Sequence, residues 1–585
     1  MITSRESDAH ICRMRNNMNN LRVKIPEYKD ALMARLRRWL VKRTFRAHKL
    51  REVLVGCILT IVLCEVACYR MLQSIVRSGD LPAHVPDMMI VVMALLEAMV
   101  SPFVSWFGYW RRRTSMLMVM PVLVLSTVSW LFLPDVQHKE ESKFCHGTVG
   151  AHVSEDTSQS SSIRLGFVLT SCVLFLLARV AVWCHGFAYI EEHAPERVSV
   201  HLGVLIFVRT ISLAMDYHMI GVAVKTSQII SFIINFTIQI LQMLYFMPSL
   251  TAQVQEGLKL RTEDRHFFVS IWRVLCNPLA LTQMISLGLL AAAVWGFGYH
   301  SSDIIKAKYL IHQTGGAMEF FTEVFQCFGI LMAVLYVGLK WSVPIQAEFC
   351  KLRAVKQSLT MCVLVGVLLT AMGVSISCER GRVAGLGSVV YTKPSCSVHC
   401  GCSSVWMEFS PVCVVEDMTT YLSPCQAGCQ GVDYQEGLMV YANCSCSPSS
   451  FALPHACSAV SCRPARDLYR TLYVLLLTFS VLAFQSHGVL VLKTVDARDK
   501  SVALGLAGAV VSLAAFVLGH LAFNVINAST CAWFSSKRCH LHSAQLPRQV
   551  GLTAAALATT SAGVCLATLV CLMVAARRKL RVTRL

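Results

Sequence analysis

Cys396-x3-Cys400-x-Cys402-x10-Cys413-x7-Tyr421-x3-Cys425-x3-Cys429-x14-Cys444-x-Cys446-x10-Cys457-x4-Cys462 is the stretch on which the reading of this chain turns. It holds Pro411-Val-Cys413, then Thr420-Tyr421-Leu-Ser-Pro424-Cys425-Gln-Ala-Gly428-Cys429, then Asn443-Cys-Ser-Cys446. With Cys378, eleven cysteines fall between residues 378 and 462. The stretch is polar and rich in Gly, Ser and Pro, and long apolar runs flank it on both sides. Cysteines this dense persist as disulfides on the oxidising side of a membrane. Zinc binding by them is not expected, because Cys-x2-Cys pairs of the zinc-ribbon kind are absent. Eleven is odd, so one must pair elsewhere or stay free. Cys378, nearest the membrane, is the candidate, with Cys145 as its candidate partner. The remaining pairing is not readable from spacing.

Working outward, 55% of the 585 residues are hydrophobic and 15% are charged. A soluble chain is nearer a quarter charged. The apolar runs are about 20 residues long and do not alternate with polar faces, which points to membrane spans. The net charge of +19 sits at span ends rather than on one compact face. Nucleic-acid binding is therefore excluded as the reading of that charge. Twelve spans are placed near 53–76, 88–108, 114–134, 163–190, 200–222, 227–247, 279–299, 318–339, 357–377, 467–492, 501–526 and 552–576. Arg111–Arg113, Lys259, Arg261, Arg265, Lys351, Arg353, Lys493, Arg498, Lys500 and Arg577–Arg581 then share one side with both termini. The positive-inside rule makes that side the cytoplasm. The cysteine-rich loop after span nine faces out, where charge and cysteine chemistry agree.

The expected organisation has a basic cytoplasmic segment (1–52), read either as an amphipathic helix on the membrane surface or as a solvated tail that obeys the positive-inside rule. A first six-span bundle (53–247), a central cytoplasmic loop (248–278) and spans seven to nine (279–377) follow. Then come the cysteine-rich domain (378–465), spans ten to twelve (466–576) and a basic tail (577–585). Six spans plus six is the layout of the major facilitator fold. Cys531 and Cys539 share the last outer loop, and Asn443 and Asn527 head glycosylation sequons on the same face. The Asn235 sequon lies inside a span and is discounted.

The cysteine pattern resembles a Kazal-type domain. More narrowly, it resembles the Kazal-like loop between spans nine and ten of the organic anion transporting polypeptides. Lys493-Thr-Val-Asp-Ala-Arg-Asp-Lys500-Ser-Val-Ala-Leu-Gly505, Asn277-Pro278, Lys306-Ala-Lys308-Tyr309 and Tyr189-Ile-Glu191-Glu192 resemble further patterns of that family. The fold implied is all-α and integral to the membrane: a twelve-span major facilitator fold (6+6) with a small disulfide-rich Kazal-like extracellular domain. The disulfides implied engage Cys396, Cys400, Cys402, Cys413, Cys425, Cys429, Cys444, Cys446, Cys457, Cys462, Cys531 and Cys539. The activity implied is sodium-independent transport of amphipathic organic anions at the plasma membrane, by alternating access. Partners are steroid conjugates, bile-salt-like, eicosanoid or drug-like anions and the lipid bilayer. No cofactor, no metal and no enzymatic constellation is expected, and there is no Walker loop.

Such cargo asks for cations inside apolar walls, and ionisable groups within spans face a cavity or a partner. Arg179 and Arg209 are the first candidates. The alternative for them is an ion pair within the bundle, with Glu97 or Asp216. Lys306 and Lys308 are placed at the entrance or in a solvated loop. Glu319 and Glu323 share one face of span eight. His185, His487 and His520 titrate near neutral pH when unperturbed. The chain departs from the family at several points. Gly221-Val-Ala-Val-Lys-Thr-Ser227 replaces the Trp-rich signature before span six, Asp135 stands where relatives often have His, and Ser512 where they often have Arg. The usual span-four Arg aligns with Phe175, one helical turn before Arg179. These departures leave a second reading: a transport-inactive membrane protein whose Kazal-like loop is a binding, adhesion or protease-inhibitor module.

Overall fold

The computed structural model describes residues 85–107, 144–145, 158–188, 191, 198–214, 266–310, 317–340, 348–379, 381–386, 391–402, 409–435, 438–535 and 538–582. The basic segment 1–52, the runs at 53–76, 114–134 and 227–247, Arg111–Arg113 and most of the central loop lie outside the described residues.

Helices dominate. They are α1 (Val85–Phe107), α2 (Ser158–Ala181), α3 (Val198–Ala214), α4 (Phe267–Leu275), α5 (Pro278–Tyr299), α6 (Ser301–Tyr309), α7 (Ala317–Lys340) and α8 (Glu348–Thr370), then α9 (Arg463–Thr494), α10 (Lys500–Val511), α11 (His520–Ser529) and α12 (Gln545–Val582). Among the described residues, seven helical stretches are long and apolar enough to cross a membrane. Three carry a wide-turned π segment: Val182–Gly186 after α2, Ala371–Ser375 after α8, and Ser512–Gly519 between α10 and α11. Such segments leave backbone carbonyls without the regular partner and gather at functional positions. Ser512 opens the longest of them and is buried.

Local sequence explains where these rods begin. Asn277 caps α5 by accepting from the Ala280 N–H at 3.2 Å, with Pro278 at the first helical position. The same Asn277 donates to the Thr494 carbonyl at 2.9 Å, fastening the start of α5 to the end of α9. Glycines set how closely rods approach. A Cβ on Gly373 would lie 2.8 Å from Gly551 Cα, so α8's π segment and α12 touch backbone to backbone. A Cβ on Gly296 would sit 2.0 Å from the Phe523 ring, so α5 receives that ring from α11. The largest apolar core joins α5, α6, α8, α9, α11 and α12 through Leu290, Tyr309, Leu369, Tyr469, Phe523 and Val550.

Between α8 and α9 lies the cysteine-rich module. Strands β1 (Arg382–Val383), β2 (Val412–Val414) and β3 (Thr419–Tyr421) form one sheet, ordered β1-β3-β2. A second sheet holds β4 (Gly431–Gln435), β5 (Leu438–Ala442) and β6 (Phe451–Ala452). These strands are too short to bury much apolar surface, so covalent cross-links replace a large core. The pairs are Cys396–Cys446, Cys402–Cys425, Cys413–Cys457 and Cys429–Cys444 within the module. Cys378–Cys462 closes its base and Cys145–Cys400 ties in a distant loop. Cys531–Cys539 staples the hairpin of β7 (Cys531–Ser535) and β8 (Arg538–His542). This corrects the reading of the odd cysteine. Cys145 bonds Cys400 rather than Cys378, because the base of the module brings Cys378 to Cys462 at the start of α9. The module does not dangle. Phe409, Leu422 and Ala456 pack with Leu310 after α6 and with Trp533 and Leu541 of the hairpin. Of the two sequon asparagines, Asn443 is exposed in a left-handed turn (φ 54°), whereas Asn527 is half-buried in the last turn of α11.

Candidate functional site

The ionisable side chains inside the helices are held by partners. Arg179, in the last turn of α2, forms an ion pair with Glu97 of α1. Glu97 is 8% exposed, so the pair is largely withdrawn from solvent. Glu97 is one of the two carboxylates expected as a bundle partner of Arg179. Arg209 of α3 lies 5.6 Å over the Trp183 ring, a cation–π contact that holds a guanidinium without neutralising it. His185 shares a hydrogen bond of 3.1 Å with the Val104 carbonyl, in the same corner.

A second group joins α1 to α10 and α11. At the module end, Asp87 faces His520 Nε2 at 3.3 Å and accepts from the Tyr299 hydroxyl at 2.7 Å. At the opposite end, Ser101 donates to the Gly505 carbonyl at 2.9 Å. A further contact joins α3 to α7 and α9, where Gln485 donates to the Ser199 carbonyl at 2.9 Å and packs at Gly203. Lys500 pairs with Glu191, and Arg273 grips Asp499 through two bonds of 2.9 Å. The sequence reading missed these couplings as contacts. Its signal was present, since Tyr189-Ile-Glu191-Glu192 and Lys493–Gly505 are both family-like patterns, and the structure joins them through Glu191 and Lys500.

Lys306 and Lys308 separate. Lys306 is partly exposed beside Asp303 at 3.9 Å. Lys308 corrects the expectation of an entrance or solvated lysine. It is buried, donates to the Met372 carbonyl and to the Ile376 carbonyl at 2.7 Å, and lies 5.8 Å over the Tyr469 ring. Those carbonyls sit where α8 loosens into its π segment, so Lys308 caps backbone groups that have lost helical donors. Burial pushes its pKa down from 10.5 to about 8. Between these values the folded chain has released a proton that the unfolded chain still holds, so stability rises with pH there. The unfolding midpoint of the purified chain is expected to climb from pH 8 to pH 10, and that of Lys308→Met to climb less, since burial lowers Lys493 as well. Lys308→Met also strands two acceptors, at a cost of about 1–3 kcal/mol at pH 8. A slope undiminished by the substitution would show that another group carries it.

Glu319 and Glu323 fall in the first two turns of α7, and their side chains lie outside the described residues. His487 is buried in α9 with Nδ1 2.8 Å from Gln283 Oε1 and Nε2 3.6 Å from Cys362 Sγ. His520 meets Asn524 Nδ2 at 3.1 Å besides Asp87. The structure thus gathers Arg179, Arg209 and His185 on one side and His520 on an interhelical seam, while His487 in α9 and Lys308 in α6 stand apart from them.

Comparison with known proteins gives these features a lineage. Solute carrier organic anion transporter family member 6C1 of Mus musculus is 24% identical over 309 residues, covering 50% of this chain and 42% of that relative. Member 2B1 of Mus musculus is 27% identical over 271 residues, 44% of this chain and 38% of the relative. Member 1B1 of Homo sapiens is 30% identical over 183 residues, 28% of this chain and 26% of the relative. The chain therefore matches less than half the length of each of these curated relatives. The model of the Organic Anion Transporter Polypeptide (OATP) family matches residues 247–544, a half of the chain that takes in α4 to α11, the cysteine-rich module and the Arg273–Asp499 ion pair. The chain belongs to the Organic Anion Transporter Polypeptide family.

Proposed function

We propose that this protein carries amphipathic organic anions across the plasma membrane by sodium-independent alternating access. It does so as twelve spans in two six-span halves, with both termini cytoplasmic and the Kazal-like module outside. One observation carries the reading. The helix at span two (α1) packs on that at span eleven (α10 and α11), and the helix at span five (α3) packs on that at span eight (α7). Exchanging two six-span halves turns the first contact into the second, which is the relation expected of bundles that rock about a shared midplane. The relatives are organic anion transporters, which supports the cargo class. Arg209, which lies over the Trp183 ring beside the Arg179–Glu97 ion pair, is the cation we assign to attract the anion. The test is uptake of a radiolabelled steroid sulfate into vesicles carrying the purified chain. Saturable uptake, unchanged when choline replaces sodium and reduced at least about tenfold by Arg209→Ala, is expected. Uptake no faster than in empty vesicles would overturn the proposal.

A second reading is favoured by the β4–β5 hairpin, which exposes Val432, Tyr434 and Leu438. It makes the module a binding, adhesion or protease-inhibitor unit on a transport-inactive chain. The same vesicles decide between the two, because only the carrier accumulates label.

A further inference from the structure

Three soft donors from α8, α9 and α12 converge inside the helical core. Cys362 of α8, His487 of α9 and Cys565 of α12 are all fully buried, and their Sγ, Nε2 and Sγ atoms lie within 4.8 Å of one another. No two are closer than about 75 residues in sequence, so only the fold assembles them. Cys362 Sγ is 3.6 Å from His487 Nε2. A tetrahedral zinc ion with bonds of about 2.3 Å to sulfur and about 2.0 Å to nitrogen separates those donors by about 3.5 Å. It separates two sulfurs by about 3.8 Å, so bringing in Cys565 asks for at most about 1 Å of closure.

The surroundings point the same way. His487 Nδ1 is 2.8 Å from Gln283 Oε1, so the ring proton sits on Nδ1 and the Nε2 lone pair faces the thiols. A carbonyl on the far nitrogen is the usual orienting partner of a metal-bound histidine. Without an ion, the partner of Nε2 among the described residues is a weak thiol. Two hydroxyls complete the site. Ser561 Oγ is 3.6 Å from Cys362 Sγ, Ser286 Oγ is 3.2 Å from Cys565 Sγ, and the two oxygens are 2.7 Å apart. Ser286 Oγ can donate to the Cys565 sulfur, while Ser561 Oγ donates to the Ser286 carbonyl at 2.8 Å and keeps its lone pairs to close a fourth position.

We propose that Cys362, Cys565 and His487 bind one structural zinc ion within the membrane-spanning core, with Gln283 orienting the histidine and Ser286 supporting the Cys565 sulfur. Charge selects the ion. Two thiolates and a neutral imidazole make a divalent ion electrically neutral, which a low-dielectric interior favours. A monovalent copper ion would leave a net negative charge, and magnesium or calcium would demand oxygen ligands. Binding is ligand exchange without redox change. The hydrated ion loses its waters, each thiol gives its proton to solvent, and two Zn–S bonds and one Zn–N bond form. The donors are closed to solvent in the folded chain, so the ion enters as the helices assemble. Once bound, it joins α8, α9 and α12 at one point, and these helices move as a unit.

Metal content of the purified full-length chain tests this by plasma mass spectrometry. About one zinc per chain is expected. Cys362→Ser/Cys565→Ser is expected to fall to background, while Cys276→Ser/Cys571→Ser, at exposed free cysteines, keeps its metal. Gln283→Leu is expected to weaken binding about 10–100-fold. Protein produced with cobalt should show a thiolate-to-cobalt charge-transfer band, and that spectrum with the wild-type metal content decides the matter even where the double variant does not fold. Zinc-free wild-type protein overturns the proposal, as does copper in place of zinc, or a disulfide between Cys362 and Cys565.

Discussion

Arg179→Ala is expected to lower the stability of the folded chain by about 3 kcal/mol, because it leaves the Glu97 carboxylate buried without its cation. Glu97→Gln should cost a similar amount from the other side. The pair joins α1 to α2 where both side chains are largely shielded, at 14% and 11% exposure. Removing both charges is a different experiment. A buried ion pair replaced by apolar groups of similar volume is often neutral or stabilising, since its own desolvation is expensive. Arg179→Met/Glu97→Leu should therefore recover most of the unfolding midpoint that either single change loses. Midpoints in detergent for the four proteins form a double-mutant cycle. A coupling of about 2 kcal/mol or more assigns Arg179 to structure. If instead Arg179→Ala unfolds at the wild-type temperature and loses only uptake, the cation serves cargo and the ion pair contributes nothing. Removing Arg209 gives the contrast. It lies over the Trp183 ring, a contact worth about 0.5–2 kcal/mol, so its loss should affect uptake more than folding.

The sequence was most legible where one local signal sufficed. The apolar runs read at 88–108, 467–492 and 501–526 are helices over Val85–Phe107, Arg463–Thr494 and Ala497–Ser529. Asn277-Pro278 marks a helix start because cap and first-turn proline act within four residues. Side-chain roles were less legible, because they depend on what arrives from another helix. Lys308 reads as a loop lysine until α8 brings two orphan carbonyls to it. Cysteine pairing followed the same rule: spacing counts the sulfurs, and only the fold brings Cys145 to Cys400. The triad of Cys362, His487 and Cys565 has no local pattern at all, so the expectation of no metal rested on the module cysteines alone. Arg179 stands between these cases. Its charge within a span announced a partner, and Glu97 was among the two named.

Gly505→Val is expected to lower uptake more than tenfold while the chain still folds. A Cβ at Gly505 would lie 2.3 Å from Ser105 Oγ, 2.6 Å from Ser105 Cβ and 2.8 Å from the Ser101 carbonyl oxygen. Ser105 can turn away, but a backbone carbonyl cannot, so α1 and α10 must separate. Their hydrogen bond from Ser101 to the Gly505 carbonyl goes with them. The Asp87–His520 contact at the module end of the same seam is untouched. The strain therefore acts on one end alone. Overpacking of this kind costs about 1–3 kcal/mol. Placed on a closed state of the seam, 2 kcal/mol reduces its population about thirtyfold. An alternating carrier must visit that state once per cycle, so turnover falls by a comparable factor. Cys184, buried next to Ser101, reports the opening: it should react with a thiol reagent in Gly505→Val and resist it in the wild type. Gly563→Ala is the control, since nothing lies within 4 Å of a Cβ there. Wild-type uptake by Gly505→Val with Cys184 still protected would mean that this seam does not open during transport, and the proposed cycle would have to pass through another interface.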